Sequence, residues 1–116
     1  MSYMRVYTGS LRLKAKEFVD QLVPIEEHCK CSTCRTTTRS YMHILFKEND
    51  ALASQLLTKH NISYMMRLMR TMREAIINGE EAYVAFIKEF LHQQFPRKDI
   101  PVWVTEALKV GGIVLD

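Results

Sequence analysis

The sequence predicts an α+β fold that is mostly α: a short N-terminal β-hairpin and connector, then four to five helices. Three observations predict it. Apolar and charged residues alternate with period two up to Lys14, as along a half-buried strand. From Thr38 onward the apolar residues recur every three to four positions, as on one face of a helix. Between the two patterns, Pro24 breaks the chain ahead of Cys29, Cys31 and Cys34, three thiols within six residues.

The elements follow in order. Met4 and Val6 flank Arg5, and Leu11 and Leu13 flank Arg12, so two short strands are expected. Thr8-Gly9-Ser10 reads as the hairpin loop, where Gly9 is free to take a positive φ. A helix is expected over 38–47, with Tyr41, Ile44 and Leu45 on one face, and a shorter one over 51–57 that Asp50 caps. The clearest helix is 61–77, where Ile62, Met65, Met66, Met69, Met72 and Ile76 form a stripe, read as core, before the stop at Asn78-Gly79. The next, 81–94, carries Tyr83, Phe86, Ile87, Phe90 and Leu91 and ends at Pro96. A last helix opens near 99–101 and closes at Gly111-Gly112, burying some of Trp103, Val104, Ala107 and Leu108. Ile113-Val114-Leu115 is apolar and is expected to pack. Residues 1–28 form the hairpin and connector, and 29–116 the helical domain, together one structural unit.

Size and composition limit the function classes. The 116 residues, 47% apolar and 25% charged, suit one soluble domain with one core. A complete β/α barrel needs roughly 250 residues. The longest apolar run, 82–87, is six residues against the about 20 of a membrane span. The first residues have no apolar stretch of the length a secretory leader needs, which points to the cytoplasm. A net charge of +3 permits an anionic partner without requiring one.

The cysteines carry the chemistry. Three crowded thiols suit metal ligands or redox groups better than a disulfide framework, which uses an even number spread along the chain. Zinc takes four ligands at tetrahedral corners. Four histidines compete for the fourth place: His28, His43, His60 and His92. His28 would have to fold back over its own neighbour. His60, expected at the mouth of the long helix, is favoured by geometry, and His43 stands second. Three thiolates around Zn²⁺ leave one net negative charge, which Lys30, Arg35 and Arg39 are placed to offset. Asp20, Glu26 and Glu27 read as solvated carboxylates.

The spacing C-x-C-x2-C followed by x25-H, here Cys29, Cys31, Cys34 and His60, resembles the zinc signature of the tRNA-guanine transglycosylases, also called queuine tRNA-ribosyltransferases. The flanks PIEEHCKCSTC-RTTTRSYMHILF and LLTKHNISYMMRLMRTMREAI resemble the family as well, over about residues 6–115. The tail PVWVTEALKVGGIVL looks more like eukaryotic members than bacterial ones. The resemblance implies His60 as the fourth ligand. It implies one closed, structural zinc per chain, in the C-terminal zinc-binding part of a β/α-barrel enzyme. That enzyme exchanges guanine at the tRNA wobble position for queuine or a related 7-deazaguanine. The family's aspartate nucleophile is expected upstream of Met1, so no catalytic residue is assigned and the isolated 116 residues are expected to be inactive.

The partners implied are tRNA, the N-terminal catalytic barrel, and a second subunit, either identical or a non-catalytic paralogue. Arg35, Arg39, Lys59, Arg67 and Arg70 are the candidate contacts to the tRNA backbone, since phosphate binding needs only point charges. Two other readings compete: a stand-alone zinc-stapled helical assembly module without base exchange, and a thiol redox protein.

Overall fold

The computed structural model describes residues 3–6, 9–95 and 99–115. It is mostly helical, with a two-stranded antiparallel hairpin at its start. Strands β1 (Tyr3–Val6) and β2 (Gly9–Arg12) pair with Tyr3 opposite Arg12 and Val6 opposite Gly9. Gly9 and Ser10 therefore belong to β2 and not to the loop, and Thr8 lies outside the described residues. Leu13 follows the strand and is completely buried. A single 3₁₀ turn, Lys16–Phe18, starts the connector.

Five helices follow: α1 (Ser32–Thr36), α2 (Arg39–Lys47), α3 (Ala51–Ile77), α4 (Glu80–Gln94) and α5 (Val102–Val110). The chain divides into two compact units, Met1–Leu68 and Met69–Asp116.

In the first unit, polar groups tie the connector to the helices. Thr38 caps α2 by accepting the Tyr41 N–H at 3.1 Å, the expected role of a threonine there. The Arg39 N–H donates to Val23 O at 2.9 Å and the Ser40 hydroxyl to Val19 O at 2.7 Å. The Arg39 guanidinium donates to Ile25 O through two nitrogens, at 3.2 and 3.0 Å, and to Gln21 Oε1 at 3.1 Å. It also lies 5.8 Å from the centre of the Phe18 ring. The connector is thus strapped across the start of α2 without a sheet.

The buried face of α2 is Met42, His43, Leu45 and Phe46, whereas Tyr41 and Ile44 are exposed. The expected face was one position off on the helical wheel. At its end, the N–H groups of Asn49 and Asp50 return to Phe46 O and Leu45 O, and Asn49 takes a φ of 54°, closing the helix in a left-handed cap. Asp50 Oδ1 then accepts the Leu52 N–H at 2.9 Å, capping α3 as expected.

α3 is one continuous helix of 27 residues, about 40 Å long. The two separate helices expected over 51–57 and 61–77 are joined, because residues 58–60 contain no glycine or proline to break them. Its buried residues are Ala53, Leu57, His60 and Tyr64, spaced four, three and four apart. The methionine stripe is not core: Ile62, Met65, Met66 and Met69 are 58%, 44%, 59% and 42% exposed. With Leu13, Ile25, Met42, Leu45 and Phe46, the Ala53–Leu57 side of α3 forms the core, and Cys29 and Cys34 are part of it.

The second unit is described by its own helices. α3 ends at Ile77, and Gly79 at φ 109° leads into α4, where Phe86 and Phe90 stack with ring centres 6.2 Å apart. Pro96, the expected stop, lies outside the described residues. α5 starts after Pro101 and closes at Gly111-Gly112, as expected, with the Ile113 N–H returning to Leu108 O at 2.9 Å. Of the α5 residues expected to be buried in part, Val104 and Leu108 are half-buried and Trp103 and Ala107 are exposed; in the tail Ile113 and Leu115 are half-buried and Val114 is exposed. No described residue of α4 or α5 is buried.

Candidate metal centre

The turn that brings three cysteines together is built locally. His28 takes a φ of 68° and swings the chain so that Cys29 faces inward, while its own side chain is 90% exposed and stands outside the site. Cys31 caps α1: its Sγ accepts the Cys34 N–H at 3.3 Å, the place a serine or aspartate usually takes. α1 itself was not expected, because a cap made by sulfur leaves no usual N-cap residue in the sequence. The Thr33 hydroxyl donates to Leu56 O at 2.8 Å and pins α1 to α3.

From the other side, α3 delivers His60 at zero exposure. His60 Nδ1 lies 3.7 Å from Cys29 Sγ, 3.6 Å from Cys31 Sγ and 3.2 Å from Cys34 Sγ. The four ligand atoms all fall within 4.8 Å of one another. With Zn–S near 2.3 Å and Zn–N near 2.05 Å, a tetrahedron puts sulfur and nitrogen about 3.6 Å apart. The four side chains fit a metal ion, and they fit it with no position left over for water.

His60 reaches the site from the middle of α3, not from its mouth. His43, the runner-up, is buried in α2 with Nδ1 donating to Leu13 O at 2.7 Å, so it ties α2 to the end of the hairpin. His92 lies in the last turn of α4, in the second unit.

Around the ligands, one carboxylate differs from its sequence reading and one cation takes a place the sequence reading did not give it. Glu26 is not solvated but only 5% exposed, and its Oε1 pairs with Arg67 Nη2. The same Arg67 nitrogen lies 3.6 Å from Cys29 Sγ. The cation facing the sulfurs is therefore Arg67, whereas Lys30 and Arg35 are exposed and Arg39 is committed to Ile25 and Gln21. A signal for this existed. Arg67 continues the 53-57-60-64 stripe of α3 by three residues, which places it on the face of the ligand His60.

Charge follows burial. Burial pushes the Cys34 thiol well above its usual pKa, and the neighbouring sulfurs of Cys29 and Cys31 add to the rise, against a backbone hydrogen bond from Glu26 that lowers it. Burial opposes the charge on Arg67, but Glu26 and the sulfurs of Cys29 and Cys31 more than offset that and hold its pKa above the ordinary value.

A buried Cys3His cluster that fastens a connector to a long helix defines a metal-binding helical domain. Comparison with known proteins makes this specific. The model of the family described as queuine tRNA-ribosyltransferase matches residues 2–96, and the chain belongs to that family. It is 38% identical over 104 residues to the queuine tRNA-ribosyltransferase of Thermus thermophilus, covering 90% of this chain and 26% of that protein. It is 32% identical over 116 residues to the queuine tRNA-ribosyltransferase catalytic subunit of Schizosaccharomyces pombe, covering 92% of this chain and 28% of that protein. A third, the queuine tRNA-ribosyltransferase of Gluconacetobacter diazotrophicus, is 44% identical over 77 residues, 65% of this chain and 20% of that protein. The chain thus spans about a quarter of the length of these curated relatives. No described helix is long and apolar enough to cross a membrane.

Proposed function

We propose that this chain is the zinc-binding part of a tRNA-guanine transglycosylase that exchanges guanine at the tRNA wobble position for queuine or a related 7-deazaguanine. The observation that carries the reading is the convergence of Cys29, Cys31, Cys34 and His60 in a chain of this family. Zinc suits the donor set, since thiolates and imidazole are its preferred ligands. Bound by four protein ligands it supplies no Lewis-acid chemistry and acts as a staple between the connector and α3. On this reading residues 1–28 brace the site and 29–116 form the zinc-binding helical part.

The catalytic work belongs to a barrel upstream, with its aspartate nucleophile, and no residue here takes a catalytic role. A second subunit, identical or paralogous, completes the enzyme in the cytoplasm. For tRNA, the exposed cations Arg35, Lys59 and Arg70 offer phosphate contacts. Arg39 and Arg67, also counted as candidates, have their guanidinium groups engaged within the chain.

The test is the reading frame ahead of residue 1, followed by a labelled-guanine exchange assay on the protein it encodes. A barrel whose aspartate is required for exchange into tRNA supports the proposal. A frame without that barrel overturns it and leaves a stand-alone zinc-stapled assembly module. One tightly held zinc per chain also excludes the thiol redox reading.

A further inference from the structure

The sulfurs differ in their N–H donors. Cys31 Sγ accepts the Cys34 backbone N–H at 3.3 Å, a bond that comes with the fold of the cysteine turn. Cys29 Sγ is served by a side chain, Arg67 Nη2, 38 residues away in sequence.

We propose that Arg67 is a positioning residue that tunes the reactivity of the Cys29 sulfur and its retention by the metal, with Glu26 as its anchor. This rests on the reading of the cluster as a zinc site. The geometry carries it as follows. A terminal guanidinium nitrogen has two N–H groups, and Nη2 meets two acceptors, Glu26 Oε1 and Cys29 Sγ. Glu26 is 5% exposed, so its carboxylate has no bulk water to turn to, and its Oε2 has no hydrogen-bond partner among the described residues. Arg67 is held by that buried charge on one side and by the Tyr64 ring, 5.7 Å away, on another. The result is an alternating row of carboxylate, guanidinium and cysteine sulfur. On a sulfur that the metal already holds as thiolate, an N–H donor and a positive charge draw electron density away. They make it a poorer nucleophile toward oxidants and alkylating agents, and they favour its retention by the metal. Residues outside the ligand set commonly tune metal affinity about 10–100-fold in this way.

The experiment uses the full chain loaded with zinc and treated with iodoacetamide, with the alkylation rate followed at each cysteine by mass spectrometry. Arg67→Gln is expected to raise the rate at Cys29 about 3- to 10-fold relative to Cys31 and Cys34, and to weaken zinc binding about 10- to 100-fold against a chromophoric chelator. Arg67→Lys, which keeps the charge but not the fork, restores part of both. Glu26→Gln shifts Cys29 in the same direction by less. Equal acceleration at all three cysteines, or none at Cys29, overturns the inference while leaving the zinc site intact. A wild-type chain that takes up no zinc overturns the underlying reading and this inference with it.

Discussion

The two units of this chain are made of similar residues and bury them very differently. In Met1–Leu68, aliphatic side chains from the hairpin end, the connector, α2 and α3 close on one another, and the metal cluster is part of that core. In Met69–Asp116, α4 and α5 carry phenylalanine, tyrosine, tryptophan and isoleucine, yet none of their described residues is buried. Hydropathy is a property of a residue, whereas burial is a property of what packs on it. α3 shows both cases along one helix. Its first half buries Ala53, Leu57 and His60, two of them modest in hydropathy, because α1, α2 and the connector sit there. Its methionine stripe, more apolar by composition, stands exposed.

The contrast can be broken by mutation. The largest effect is expected from the metal. His60→Ala removes one of four ligands, and zinc binding is worth about 10–16 kcal/mol in small zinc peptides against about 5–15 kcal/mol for the stability of a whole domain. Hydrogen exchange of the zinc-loaded and variant chains is expected to show loss of protection through residues 11–68, with 80–94 changed little. An unaltered melting temperature in a zinc-free variant would refute the coupling of metal to folding. Next comes Leu57→Ala, at 1% exposure in the core, with an expected loss of about 2–5 kcal/mol in urea unfolding. Smallest is Met66→Ala, at 59% exposure, expected within about 0.5 kcal/mol of wild type. A cost for Met66→Ala equal to that of Leu57→Ala would place the core on the wrong face of α3.

Much of this was legible in the sequence where local chemistry decides. The hairpin, the cap at Asp50, the stops at Asn78-Gly79 and Gly111-Gly112, and the crowding of three thiols all follow from short-range rules. The misses share a cause: they depend on residues far apart in the chain. Glu26 looks like any surface carboxylate until Arg67 arrives from 41 residues away. Nothing near Arg39 in the sequence announces the connector carbonyl of Ile25 that folds onto it. Whether the period of α3 selects the histidine stripe or the methionine stripe depends on which neighbour exists. Composition favoured the methionines, and the packing of α1 and α2 decided for His60.

The central claim is that three sulfurs and one imidazole nitrogen close a four-coordinate zinc site between the connector and α3. X-ray absorption at the zinc edge, on the purified chain with its zinc counted per molecule, tests this most directly. The prediction is one zinc per chain, with three sulfurs at about 2.3 Å and one nitrogen at about 2.0–2.1 Å. A shell with fewer than three sulfurs, a bound water oxygen in place of the histidine, or a chain that holds no zinc would contradict it.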